Sequence, residues 1–155
     1  MALVTLVLTN PYAYEKALSR GLELAVSLSE SQASLGQRIE GVALNVVFLI
    51  DPEALDELVQ DLGEQGWLGL SSQRNLQASM LEGYRALAAD ILQEALKDGS
   101  QAGLSVETAL KEVPPSIYVD ELLNAGTQKL IVCGSSTLAA KLGDRTAKLE
   151  WIEDG

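Results

Sequence analysis

The sequence has no histidine, and Cys133 is the single cysteine among its 155 residues. Without imidazole, Ser-His-Asp and Cys-His nucleophile pairs are excluded, and the commonest transition-metal ligand is missing. A single cysteine cannot form an internal disulfide, which fits a reducing compartment, and its place in an apolar run predicts a small buried side chain. We therefore assign no catalytic residue and no metal ligand.

Basic residues are also scarce, because 11 Lys and Arg stand against 22 Asp and Glu, for a net charge of −11. No Lys- or Arg-rich run occurs, and nucleic acids or anionic membrane surfaces require such a patch. The apolar start Met1–Leu8 is too short to span a membrane and lacks the features of a signal peptide. We therefore expect a cytoplasmic protein that binds neither nucleic acid nor membranes.

Aromatic residues make up 5% of the chain, although 47% of it is hydrophobic. Leu, Val, Ala and Ile must therefore build the core, and this mixture suits helices packed on a buried sheet. The length and the apolar content predict a single domain over residues 1–155 with one sizeable core.

Short apolar runs alternate with helical patterns along the chain. The continuous runs Leu3–Leu8, Val42–Ile50 and Lys129–Cys133 predict strands that are buried on both faces. The alternating segment Leu104–Leu110 predicts a strand near the sheet edge, and Lys148–Ile152 predicts a short fifth strand. Strands that alternate with helices indicate an α/β fold, a three-layer α/β/α sandwich with an open, mostly parallel sheet of four to five strands.

Helices are predicted between these strands from the spacing of apolar residues. Asp98-Gly99-Ser100 is expected to end the third helix, and Gly126 to cap the fourth. Gly63–Ser72 contains three glycines and Trp67 and is expected to be a loop or a lid. The predicted helices are Ala13–Leu28, Glu53–Leu62, Ser72–Lys97, Ile117–Ala125 and a last one capped by Ser135 or Ser136.

A site is expected at the turns that follow the strands, because open α/β sheets bind ligands outside the carboxyl ends of their strands. These turns are Thr9-Asn10-Pro11, Ile50-Asp51-Pro52 and Gly134-Ser135-Ser136. If the first and fourth strands are neighbours, Asn10 faces the last of these turns. A glycine and hydroxyl residues at a helix start offer backbone N–H groups to an anion, although many such turns hold only water.

From Leu3 to about Leu142 the chain resembles the universal stress protein family. The resemblance lies in VLTNPYAYEKALSRGLELA, in VVFLIDP and above all in KLIVCGSS, which is similar to the family's penultimate strand and the first glycine of its nucleotide loop. It implies an adenine-nucleotide alpha-hydrolase-like fold with the strand order 3-2-1-4-5 and a homodimer. Some members of the family bind ATP, and others bind no nucleotide.

The chain departs from the family at the phosphate-binding motif. ATP-binding members carry a glycine, two residues, a glycine, nine residues, and then a glycine followed by Ser or Thr. Gly134 fits the first position, but Thr137, Ala147 and Lys148 occupy the others. The close backbone approach to phosphates that glycine allows is therefore lost at two positions, and the ATP-binding motif is degenerate.

The resemblance also implies ligand contacts and a dimer interface. Asn10 stands where the family has an acidic residue, and Leu49 matches a position that packs on adenine. The C-terminal end is shorter than in the family, although Trp151 and Ile152 could still form an interface. The ligand-binding candidates are Asn10, Leu49, Asp51, Gly134, Ser135 and Ser136.

Three functions remain open from the sequence. The first is a non-enzymatic, regulatory or stress-associated protein that is deficient in ATP binding, needs no cofactor and has an unidentified protein partner. The second is a binder of ATP, AMP or another small anion at the carboxyl ends of the first and fourth strands. The third is an enzyme with magnesium on Asp51, Glu53, Asp56 and Glu57, although acidic residues also favour a helix start without metal. We prefer the first, because no general base, activated nucleophile or complete phosphate loop can be assembled.

Overall fold

The computed structural model describes residues 2–36, 42–66, 69–125, 127–142 and 149–153. Strands and helices alternate along these ranges. The strands are β1 (Ala2–Leu8), β2 (Val42–Leu49), β3 (Val106–Lys111), β4 (Lys129–Gly134) and β5 (Leu149–Glu153). The helices are α1 (Glu15–Ser34), α2 (Pro52–Glu64), α3 (Leu70–Gln101), α4 (Pro115–Asn124) and α5 (Ser136–Leu142).

The sheet is parallel throughout its described strands, in the order β3-β2-β1-β4-β5. This confirms the predicted α/β class and the predicted strand order. β1 lies at the centre and is buried along its whole length. β3 lies at one edge with a mixed burial pattern, as its alternating sequence predicted.

The helices cover both faces of the sheet. Alternate residues of each strand point to opposite sides, so each face has apolar side chains that helices bury. One face, here called the α1–α3 face, carries the larger core, with Leu6 and Phe48 packed beneath α1 and α3. The opposite face, here called the α4–α5 face, carries a smaller core with Val47 and Leu130. Cys133 is buried on the α1–α3 face, which confirms the prediction for this side chain.

α1 lies close to the sheet because small residues recur every four positions on its inner side. Ala17, Gly21 and Ala25 are all buried. A Cβ atom added to Gly21 would lie 3.1 Å from Leu6 Cδ2, so glycine permits the close approach. Within the described ranges, no helix combines the length and the apolar character needed to cross a bilayer.

α3 is longer than predicted, because Asp98-Gly99-Ser100 continues the helix instead of ending it. Gly99 is buried against β3, where a Cβ atom would overlap Val106 Cγ2. Close packing therefore outweighs the low helix propensity of glycine at this position. The helix ends at Gln101, and Gly103 follows with a φ of 77°, the left-handed conformation that commonly terminates helices.

The connection between α2 and α3 is shorter than the predicted Gly63–Ser72 loop. α2 extends through Glu64 and α3 begins at Leu70, so five of the ten residues of the predicted loop are helical. Gly63 faces the side chain of Gln73 where the two helices meet. Trp67, Gly126, Ala147, Lys148 and the side chain of Thr137 lie outside the described residues.

Candidate functional site

A cleft of about 470 Å³ opens at the carboxyl ends of the central strands. It lies where β1 meets β2 on one side and β4 on the other, which is the point where the strand order reverses. The turns after these three strands line it, together with side chains of α2, α3 and α5. A smaller depression of about 210 Å³ adjoins it between β2 and α2 and shares Leu49, Asp51 and Tyr84 with it.

The structure brings four of the six sequence-predicted site residues to this cleft. They are Asn10, Leu49, Asp51 and Ser135. They meet because β1 pairs in parallel with both β2 and β4, so the three strands end at the same edge. Gly134 is buried and Ser136 is exposed, and neither lines the cleft. Ligand binding by these residues stays a prediction.

The side chain of Asn10 holds the turn that leads into α1. Its Oδ1 accepts a hydrogen bond from the backbone N–H of Tyr12 at 2.9 Å, the geometry of an Asx turn. This turn places Tyr12 at the rim of the cleft, with 74% of the residue exposed. The amide of Asn10 therefore fixes the backbone of the turn at Tyr12.

Asp51 is both a cleft residue and the N-cap of α2. Its Oδ1 accepts a hydrogen bond from the backbone N–H of Glu53 at 3.0 Å, and Pro52 occupies the first helical position. Glu57 projects from the same helix into the cleft. The cleft is thus lined by two carboxylates, and none of its described lining residues is Lys or Arg.

Arg85 follows the cleft residue Tyr84 on α3, but its side chain is directed to a separate depression and pairs with an acidic residue there. Its guanidinium contacts Glu112 Oε1 at 2.7 Å and lines a separate depression with that residue. The nearby cation is therefore neutralised by an acidic partner of its own.

The acidic residues at the start of α2, which were considered as magnesium ligands, are not gathered into one cluster. No group of three or more Asp, Glu, His or Cys side chains converges within the described ranges. Asp51 caps the helix, and Asp56 instead accepts a hydrogen bond from Gln77 of α3. These carboxylates therefore connect and cap helices.

The corner at Gly134 is filled by the protein's own side chains. A Cβ atom at Gly134 would lie 2.7 Å from Leu138 Cδ2, 3.1 Å from Thr9 Oγ1 and 3.3 Å from Trp151 Cη2. Thr9 is held in place because its hydroxyl donates a hydrogen bond to the carbonyl of Cys133 at 2.8 Å. Glycine is required here by the packing of the chain itself.

The start of α5 uses two of its N–H groups within the chain. Ser135 Oγ accepts from the backbone N–H of Leu138 at 3.2 Å, and the Ser135 carbonyl accepts from Ala139 at 3.0 Å. This confirms the prediction that Ser135 or Ser136 caps the helix.

A contact between α1 and α3 supports the turn after β1. The hydroxyl of Tyr14 donates a hydrogen bond to Glu94 Oε2 at 2.6 Å. This bond, with burial and the nearby negative charge, raises the pKa of Tyr14 to about 12. The turn that carries Asn10 and Tyr12 is therefore anchored to α3.

Sequence reasoning assigned no site role to the lining residues Tyr12, Tyr84 and Leu138, and it considered Glu57 as a magnesium ligand alone. Tyr84 was assigned to the apolar stripe of α3, and its ring does pack against the α1–α3 core. Its hydroxyl group, unusual on an apolar stripe, could have indicated a position at the core boundary. The position of Glu57 in the cleft follows from helical geometry, because residues three apart share a face and Ala54 also lines the cleft.

Comparison with known proteins supports the fold. No family model and no curated protein matches the chain. The structure is similar to the solved structure of hypothetical protein MJ0577, which was a test case for assigning biochemical function from structure, with a TM-score of 0.52 and 10% identity. The similarity covers 99% of this chain and 97% of that one. At this identity it shows a common fold, in line with the fold that the sequence resemblance implies.

Proposed function

We propose that this chain is a non-enzymatic, universal-stress-like protein with a regulatory or stress-associated function, and that it is deficient in ATP binding. The observation that carries the proposal is the filled corner at Gly134. A phosphate group that approached Gly134 from the side where a Cβ atom would lie would have to displace Leu138, Thr9 or Trp151. The resemblance to the universal stress protein family supports the class of function.

The charge of the cleft also opposes a phosphate chain. Asp51 and Glu57 line it, and no described lining residue is a cation. One carboxylate about 6 Å from a single phosphate charge repels it by roughly 0.7–3 kcal/mol, depending on the local dielectric. A triphosphate in this cleft would meet that repulsion several times over.

The proposal is tested by mass spectrometry of small molecules released from denatured, freshly purified protein, followed by calorimetry with ATP and AMP. We expect no nucleotide in the released fraction and no saturable heat. Leu138→Ala, which opens the corner beside Gly134, is the informative variant: ATP heat that appears in this variant alone would show that the corner excludes phosphate. Stoichiometric ATP binding by the unaltered protein would overturn the proposal.

A second candidate is a binder of a nucleotide or another small ligand at the same cleft. The cleft volume of about 470 Å³ favours it, since this lies within the usual range of small-molecule sites. Ligand release in the same mass-spectrometric experiment would place this function first.

We also propose a cytoplasmic homodimer with an unidentified protein partner. Trp151 and Ile152, which were expected at a dimer interface, are engaged within the chain, in the α4–α5 core and the α1–α3 core respectively. Among the described strands, β3 and β5 each pair on one side alone, and we propose the backbone edge of β5, the strand that carries Trp151 and Ile152, as the interface. Size-exclusion chromatography with light scattering tests the dimer, and a monomer at all accessible concentrations would contradict it.

A further inference from the structure

We propose that the cleft at the strand ends binds a small organic cation, a compact molecule that joins a protonated amine to an aromatic or apolar body. The inference rests on the proposed function, because it names the ligand class for a cleft that does not hold ATP. It follows from the charge, the ring surfaces and the size of the cleft.

The charge of the cleft selects for an amine. Asp51 and Glu57 face it, and Arg85, the cation next to the lining residue Tyr84, is paired with Glu112. The capping bond to Glu53 engages one oxygen of Asp51, and a carboxylate has about four acceptor positions. A protonated amine can therefore donate a hydrogen bond to Asp51 without breaking the cap of α2, and Glu57 adds a second negative charge to the same cleft.

The walls of the cleft suit the rest of such a molecule. Leu49 and Leu138 supply apolar surface, and Tyr84 and Tyr12 supply aromatic rings. A cation above a tyrosine ring is attracted by the negative face of that ring. The Asx turn of Asn10 holds the backbone at Tyr12, so the turn itself needs no reordering when a ligand arrives.

Calorimetry with two ligands that share a ring and differ in charge tests the inference. Tryptamine carries a protonated amine on an indole, whereas indole-3-acetate carries a carboxylate on the same indole. We expect saturable binding of tryptamine with one molecule per chain and no saturable binding of indole-3-acetate. Equal binding of the two, tighter binding of the acetate or no binding of tryptamine would overturn the inference.

The variants must separate the cleft from the general negative charge of the chain. Asp51→Asn with Glu57→Gln removes both cleft charges, and Asn is as good an N-cap as Asp, so α2 is preserved. Asp61→Asn with Glu30→Gln removes two exposed charges away from the cleft and gives the same net charge. We expect tryptamine binding to weaken roughly tenfold in the cleft variant and less than about twofold in the control. Equal weakening in both would show diffuse attraction and overturn the inference.

ATP in the same calorimeter separates this inference from the proposed function. Stoichiometric ATP binding by the unaltered protein would overturn both. An absence of heat with ATP and with tryptamine would overturn the organic-cation site alone and leave the proposed function standing.

Discussion

The two faces of the sheet differ in how they are covered. The α1–α3 face carries helices of 20 and 32 residues, whereas the α4–α5 face carries helices of 10 and 7 residues. The cleft lies where the two faces meet, with α2 and α3 on one wall and α5 on the other. The long helices therefore cover the larger core, while the short α5 places Leu138 against Gly134 and fills the corner there.

The largest expected effect compares the same substitution on the two faces. Leu6→Ala on the α1–α3 face and Leu130→Ala on the α4–α5 face both truncate side chains with 0% exposure. We expect unfolding free energies to fall by about 4–5 kcal/mol for Leu6→Ala and about 2–3 kcal/mol for Leu130→Ala, because short helices can settle into a cavity and long ones cannot. Urea unfolding measures both, and equal losses would contradict the difference between the faces.

A second prediction compares two glycines of α3, one near its C-terminal end and one near its middle. Gly99→Ala should lower the unfolding free energy by about 1–2 kcal/mol, because overlap with Val106 outweighs the gain in helix propensity. Gly83→Ala on the same helix meets nothing within 4 Å and should raise it by about 0.5–1 kcal/mol. Thermal and urea unfolding measure the pair, and stabilisation by both substitutions would show that α3 is not tightly held at β3.

A third prediction concerns the bond between Tyr14 and Glu94 that ties the helices of the α1–α3 face together. Tyr14→Phe should lower the unfolding free energy by about 0.5–1 kcal/mol near neutral pH. Because the folded-state pKa of about 12 lies above the ordinary value of 10, this stabilisation is complete below pH 10 and is lost as the pH rises towards 12. Unfolding at several alkaline pH values measures it, with Tyr12→Phe as the control, and an unchanged difference up to pH 12 would contradict the assignment.

The smallest expected effect concerns the ion pair that joins α1 to the edge strand β5. The guanidinium of Arg20 donates to both carboxylate oxygens of Glu150, at 2.9 and 3.0 Å, and this contact lowers the pKa of Glu150. The ion pair therefore contributes to the free energy of unfolding above the ordinary carboxyl pKa of 4.5. This contribution is lost as the pH falls through the lower pKa that Glu150 has in the folded protein. Glu150→Gln should destabilise less than Tyr14→Phe does, and high salt should abolish the effect, since both side chains are 37% exposed. An effect that persists at high salt would point to packing instead of charge.

Most of the fold could be predicted because its signals are local. Continuous apolar runs such as Val42–Ile50 report burial on both faces, and the proline and asparagine or aspartate after them report the turns. The end of α3 could not be predicted, because Gly99 stays helical through contact with Val106, a residue of the next strand. Local propensity indicates a break there, and tertiary packing overrides it.

The location of the site could be predicted from the sequence, but the packing of side chains within it could not. The rule that ligands bind at the strand ends led to Asn10, Asp51 and Ser135, the resemblance led to Leu49, and all four line one cleft. The filling of the corner at Gly134 depends on side chains from three separate elements, which no local pattern reveals. Motif spacing showed which glycines are missing, whereas the side chains that fill the corner of the remaining one are known from the structure alone.

The central position of β1 has a consequence for synthesis. β1 is the first of the described strands to leave the ribosome, yet one of its two partners is β4, near the other end of the chain. Synthesis at about 5–20 residues per second leaves one edge of this apolar strand unpaired for roughly 6–24 s, until β4 has been made. During that time it offers unpaired backbone groups to any neighbouring chain. The strand that is best protected in the native sheet is therefore the most vulnerable one in the nascent chain.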